Sequence, residues 1–240
     1  MIKLPIRGTN DTYIVNPTKI IALGLNYDDH IKESVTVNAS KKKKDKKRPK
    51  EPVLFPKTPN SLIGPGDEIV IPKFLLDYEF PDLRVDYEAE LAIIIKDTCK
   101  DVNKENALDH VLGFTALNDV SQRNIQLTDR SGWWRGKSLD TFCPVGPEIV
   151  PVAHVGDPQK LHIECRLNGK IMQDSNTSLM IFDIPTMISF ISKNFTLQEG
   201  DIISSGTPSG VGPMHHGDVV KVEIENIGVL KNPVIEEWRS

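Results

Sequence analysis

The stretch VDYEAELAIIIKD, residues 85 to 97, sets two glutamates against a nearly unbroken apolar run, and it limits the folds open to this chain more than any other segment. Side chains alternate across a strand, so Glu88 and Glu90 share one face. Tyr87, Ala89, Leu91, Ile93 and Ile95 take the other, while Ala92 and Ile94 continue the glutamate face as apolar. The two acids therefore stand where a strand enters a core. Carboxylates two apart on a strand face lie roughly 6–7 Å from each other and repel by about 2–3 kcal/mol in a protein environment. Three arrangements relieve this: both reach water, one stays protonated, or a cation sits between them.

Elsewhere strand signals outnumber helix signals. DEIVIP, ELAIII, LHIECRL, DIISSG and DVVKVEIENIG are β-rich runs bounded by Gly, Pro and Asp. Three of them follow a Gly-Asp pair, in GPGDEIVIP, EGDIISSG and HGDVVKVEI, which predicts tight corners in a compact β-rich body. Helices are expected at NYDDHIKES, at NKENALDHVLGF (Ala107, His110, Val111 and Phe114 at helical spacing) and at IPTMISFISKN behind Asp183. The whole reads as a β-rich α+β fold, a single domain over 1–240.

A second acid is placed oddly. Leu112 to Leu117 reads as a buried strand and Asn118-Asp119 falls at its end. Such an acid is a turn residue, a helix N-cap or a metal ligand on a rigid scaffold. Three carboxylates from two strand ends would form a hard, all-oxygen site suited to Mg²⁺ or Mn²⁺, with Ca²⁺ a further candidate. His215 and His216 read as turn residues, because no acidic or cysteine partner stands at ligand spacing.

Charge is unevenly spread. KKKKDKKRPK, residues 41 to 50, holds eight of the chain's 29 Lys/Arg and one of its 33 Asp/Glu, so the remainder is strongly acidic. Residues 35–52 are expected to be an inserted, solvated loop, and nucleic acid is not an expected partner. Three cysteines without a CxxC, no signal-peptide core and no long apolar run predict a reduced, cytoplasmic protein with no membrane partner.

The segments GLNYDDHIKES, PVLFPKTPNSLIGPGD, VDYEAELAIII, GFTALNDVSQRNIQ, WWRGKSLDTFCPVGP, LNGKIMQDSNTSLMIFDIP, LQEGDIISSGTPSGVG and GDVVKVEIENIGVLKNPV follow one another in order. As a series they resemble the fumarylacetoacetate hydrolase family. The length is similar to that of short, single-domain members such as acylpyruvases and oxaloacetate decarboxylases. The resemblance implies the family's mixed β-sheet roll with a few short helices, and a homodimer. It implies that Glu88, Glu90 and Asp119 are Mg²⁺/Mn²⁺ ligands, and that GLNYDDHIKES closes over the site as a short helix. His30 and Glu33, at i and i+3, would be a general-base pair on that helix. Lys137 matches a lysine that faces the substrate, and Arg123, Gln126 and Thr207 match positions around the substrate's oxygens. The lysine block and KFLLDYEFPDLRVD depart from the pattern of compact members.

The implied substrate is a small 2-oxo or β-diketo acid. The implied chemistry is C–C cleavage through a metal-stabilised enolate, as in acylpyruvate hydrolysis or oxaloacetate decarboxylation. Isomerisation of a hydroxymuconate-type diacid is the alternative enzyme reading. An idle scaffold that binds an acidic partner through the basic loop is the alternative of another class.

Overall fold

The computed structural model describes residues 2–33, 48–130 and 132–239. Most of the lysine block lies outside the described residues, so its reading as a loop is not addressed. Its described end, Arg48, donates through Nε to Asp28 at 2.7 Å.

The main sheet has seven strands in the spatial order Val53–Lys57, Ile20–Gly24, Ile202–Ser204, Ala89–Ile95, Val111–Asn118, Cys143–Val150 and Leu62–Ile63. It is mixed: Ile202–Ser204 runs parallel to Ile20–Gly24 but antiparallel to Ala89–Ile95. A five-stranded sheet, ordered Lys170–Asn176, His162–Leu167, Val219–Ile224, Gly228–Glu236 and Ile69–Ile71, faces it. The strand Ala89–Ile95 is buried along its whole length because both of its faces are covered. Tyr87, Ala89, Leu91, Ile93 and Ile95 join one core with Cys165, Val222 and Ile224 of the second sheet. Ala92 and Ile94 join a second core with Leu4 and Val15 of the hairpin Ile2–Pro5/Thr12–Val15. The predicted alternation is therefore the division between two cores. Each buried isoleucine contributes about 1.5–3 kcal/mol, which fixes the register, since a one-residue slip would exchange the faces.

The three Gly-Asp pairs share one geometry. Gly66, Gly200 and Gly217 have φ of 85°, 81° and 86°, the left-handed region that glycine enters without cost. The following aspartates accept the backbone N–H three residues earlier: Gly64 to Asp67 at 2.8 Å, Gln198 to Asp201 at 2.7 Å and His215 to Asp218 at 2.7 Å. Each pair thus closes a tight turn and feeds a strand, and His215 is a turn residue as expected.

The short helix Asp28–Glu33 and the helix Ile184–Asn194 form where predicted. The second is capped by Asp183, whose carboxylate accepts from Thr186 N, and buries Met187, Ile188 and Ile191; Phe190 is only half-buried. The helix expected over 103–114 is corrected. Lys104–His110 is a 3₁₀ turn, and Val111 and Phe114 belong to the strand Val111–Asn118. Their spacing imitated a helical face, but their partners are Ile95 and Ile93 across the ladder. The three cysteines are free and buried. Among the described residues no helix is long and apolar enough to cross a membrane.

Candidate metal centre and active site

Sheet register brings the three acids together. The ladder pairs Ala89 with Asn118 and Glu90 with Leu117, so the next step places Asp119 opposite Glu88. Asp119 N–H donates to the Glu88 carbonyl at 2.8 Å, and Glu88 N–H to Asn118 Oδ1 at 2.9 Å. Glu88, Glu90 and Asp119 are all buried, and each offers a carboxylate oxygen within 4.8 Å of the others.

Their surroundings differ. Lys137 Nζ bridges Glu88 and Asp119, at 2.6 Å from each. Lys57, fully buried, donates to the other Asp119 oxygen at 2.7 Å and to the Lys137 carbonyl. Arg123 donates to Glu88 and, at 2.7 Å, to Asp86, whose second oxygen accepts from Arg84 at 2.8 Å. Glu90 instead accepts from neutral donors, Ser204 Oγ and, at 2.8 Å, Gly206 N–H. Burial raises the Glu88 carboxyl, but Arg123 and Lys137 outweigh it and hold the group well below the usual range. Burial also raises Glu90, and there the Asp119 and Glu88 charges add to the effect. One deprotonated acid and one acid driven toward its neutral form thus stand side by side. A further positive charge among the three oxygens would resolve that conflict.

The donor set fits such a charge. Three carboxylates and no sulfur or nitrogen donor suit a hard divalent ion such as Mg²⁺ or Mn²⁺, with positions left for water and substrate.

Above the acids lies a narrow cleft lined by His30, Arg123, Gln126, Lys137 and Thr207, with Leu23, Leu25, Phe55 and Trp133 as its apolar wall. Leu25 sits at φ 59°, a strained backbone for leucine. The adjacent Asn26 holds it there, donating to the Ser205 carbonyl at 2.8 Å and accepting from Phe182 N at 2.8 Å. His30 Nδ1 lies 3.3 Å from Glu33 Oε1, and both Glu33 oxygens accept from Gly210 N, at 2.8 and 3.0 Å. Thr207 donates to the Ala89 carbonyl at 2.9 Å and accepts from Gln173 at 2.8 Å, so its hydroxyl is tied to the strand that carries Glu90.

Gly210 has φ of 95°, and a Cβ there would lie 2.1 Å from the Met172 carbonyl oxygen. Gly210→Ala should lower stability by about 2 kcal/mol or more through backbone strain and that clash. It should also pull the loop from Glu33. An unchanged urea midpoint would contradict this.

All nine residues singled out from the sequence are gathered here, though not all face the cleft alone. Lys137 spends its hydrogen bonds on the acids, and Gln126 accepts from Arg123 at 2.9 Å. Asp86, on the glutamate face of the sequence, anchors Arg123 and is not one of the clustered acids. Lys57 went unrecognised. Its one local signal is alternation with Phe55, which placed it on the inward face of Val53–Lys57.

The sequence profile described as Fumarylacetoacetate (FAA) hydrolase C-terminal matches residues 19–235. An oxaloacetate tautomerase, mitochondrial, of Xenopus laevis is 41% identical over 231 residues, which span 92% of this chain and 67% of that protein. The crystal structure of 5-carboxymethyl-2-hydroxymuconate delta-isomerase from Mycobacterium smegmatis superposes with a TM-score of 0.80 at 36% identity, over 95% of this chain and 86% of that one. Fumarylpyruvate hydrolase from Pseudomonas aeruginosa, solved with Mn²⁺ and pyruvate, gives a TM-score of 0.84 at 27% identity, over 98% and 96%. Its relatives thus include hydrolases, isomerases and tautomerases, and hydrolases among them are seen with Mn²⁺. With the β-rich mixed fold, these matches establish that the chain belongs to the fumarylacetoacetate hydrolase C-terminal family.

Proposed function

We propose that this chain is a divalent-metal-dependent enzyme of 2-oxo acids that cleaves a C–C bond in a β-diketo acid of the acylpyruvate class, with oxaloacetate decarboxylation as chemistry the same site serves. The observation that carries the reading is a cluster of three buried carboxylates, two of which, Glu88 and Glu90, line one cleft with His30. Glu88, Glu90 and Asp119 would hold Mg²⁺ or Mn²⁺, which supplies Lewis-acid polarisation of the substrate's keto oxygen. The pyruvate and Mn²⁺ found together in the Pseudomonas hydrolase support this substrate class.

The remaining work falls to side chains. Glu33 occupies the Nδ1 side of His30, so the other ring nitrogen is the one left to take a proton from water. That water adds to the distal carbonyl, the C–C bond breaks, and pyruvate and a carboxylic acid result once the pyruvate carbon takes up a proton. Arg123 and Gln126 offer donors to substrate oxygens, and Lys137 places positive charge where negative charge develops. Thr207 lines the same cleft. Phe55 and Trp133, packed edge-to-face with centroids 5.3 Å apart, limit water in the cleft.

A second reading is tautomerisation, favoured by the relationship to the Xenopus tautomerase. The His30–Glu33 pair could move a proton between carbon and oxygen without adding water. Proton NMR of the products separates the two: new pyruvate plus acid for hydrolysis, a changed keto–enol ratio alone for tautomerisation. His30→Ala should retain Mn²⁺ binding and lose roughly 10²–10⁴-fold in turnover. A full-rate His30→Ala enzyme would remove the general-base assignment in both readings.

A further inference from the structure

We propose that Asp97, Cys99 and His110 form a second metal site, separate from the carboxylate cluster, that takes a borderline-soft divalent ion such as Zn²⁺. Their donor atoms, one carboxylate oxygen, one sulfur and one ring nitrogen, all lie within 4.8 Å of one another. The mixed set contrasts with the all-oxygen cluster: thiolate and imidazole select zinc-like ions over Mg²⁺.

The backbone holds the three residues in place. Lys96 N–H donates to the His110 carbonyl at 2.8 Å, which ties the residue before Asp97 to the end of the 3₁₀ turn. Cys99 exchanges two backbone bonds with Leu197, at 3.0 and 2.9 Å. Asp101 N–H reaches the Ser192 carbonyl at 3.0 Å. His110 Nδ1 lies 2.6 Å from Asp97 Oδ1, so the imidazole is already aligned with the carboxylate. Binding would displace the proton they share and the thiol proton.

Cys99 lies in the wall of a groove also lined by Thr98, Asp101, Asn103, Asn106 and His110. Cys99 also belongs to the first core, at its margin with 6% exposure, whereas Cys165 in that core and Cys143 in the second are fully enclosed. Three protein ligands leave a fourth position, which opens onto that groove's amide and carboxylate oxygens or onto water. Asp97 and Cys99 follow the strand that carries Glu90, and His110 precedes the strand that ends near Asp119. The acids stand at the opposite ends of those strands, roughly 20 Å away for seven residues of strand. An ion here would pin the 96–110 connection and raise stability by ligand linkage without entering the cleft.

The test is titration of Co²⁺ into the full chain saturated with Mg²⁺, read by the near-ultraviolet thiolate-to-cobalt band that a carboxylate cluster cannot give. One band saturating at one ion per chain is expected. It should vanish in Cys99→Ser, weaken more than ~10-fold in affinity in His110→Ala, and persist in Glu90→Gln. Absence of the band in the native chain, or its survival in Cys99→Ser, overturns the proposal. Should Cys99→Ser fail to fold, His110→Ala and Asp97→Ala, at less buried positions, decide it: unchanged Co²⁺ affinity in both also overturns it.

Discussion

Asp119→Ala is expected to abolish Mg²⁺ and Mn²⁺ binding at the carboxylate cluster and to lower the stability of the metal-free protein by about 3–5 kcal/mol. The first effect follows from removing one of three carboxylates. The second follows from the two ammonium groups that Asp119 neutralises, Lys57 at 2.7 Å and Lys137 at 2.6 Å, both buried. Lys137 keeps Glu88 as a partner. Lys57 would be left with carbonyl oxygens, those of Lys137 and, at 3.5 Å, Val120. A buried charge stripped of its counter-charge costs far more than a surface pair is worth. Lys57→Met in the Asp119→Ala background should recover part of the loss, because it removes the orphaned charge. Urea unfolding in EDTA and Mn²⁺ titration read the two effects separately. Wild-type Mn²⁺ affinity in Asp119→Ala would remove Asp119 from the ligand set.

Glu90→Gln should move metal affinity and stability in opposite directions. It removes a ligand, so Mn²⁺ affinity should fall by more than ~100-fold, about 2.7 kcal/mol. Yet the metal-free protein should gain on the order of 2 kcal/mol at neutral pH, because carboxylates within 4.8 Å of one another repel by about 3 kcal/mol at an effective dielectric near ~20. The glutamine carbonyl can keep the bonds from Ser204 and Gly206. The sign of the pH dependence agrees. A carboxyl raised in the folded state binds more protons folded than unfolded, so its contribution is favourable below the ordinary value of 4.5 and is lost as pH rises through the folded value. The advantage of Glu90→Gln in EDTA should therefore grow from acid toward neutral pH. A variant destabilised at pH 7 in EDTA would show that Glu90 is not the strained acid of the cluster.

The opening segment carried most of the legible information. Alternation from Tyr87 to Ile95 predicted which residues face which core, because a strand covered on both sides still divides its side chains by parity. The Gly-Asp corners were legible because a left-handed glycine followed by an acid that accepts an N–H is a local arrangement. Lys57 and the Asp86–Arg123 pairing were not. Their partners lie 62 and 37 residues away, and nothing local to a buried lysine distinguishes it from a solvated one. Residues 103–114 misled for the opposite reason: a 3₁₀ turn running into a strand produced an apolar spacing that matched a helix by coincidence. Lys137 was placed at the site through the family pattern, but its bridging of Glu88 and Asp119 depends on the fold that brings those acids together.

The measurement that tests the central claim most directly is turnover of acetylpyruvate and of oxaloacetate, each with Mg²⁺, Mn²⁺ or EDTA. The site predicts loss of at least one substrate with either ion, no turnover in EDTA, and recovery when the ion is restored. Turnover of either substrate at an undiminished rate in EDTA would contradict it.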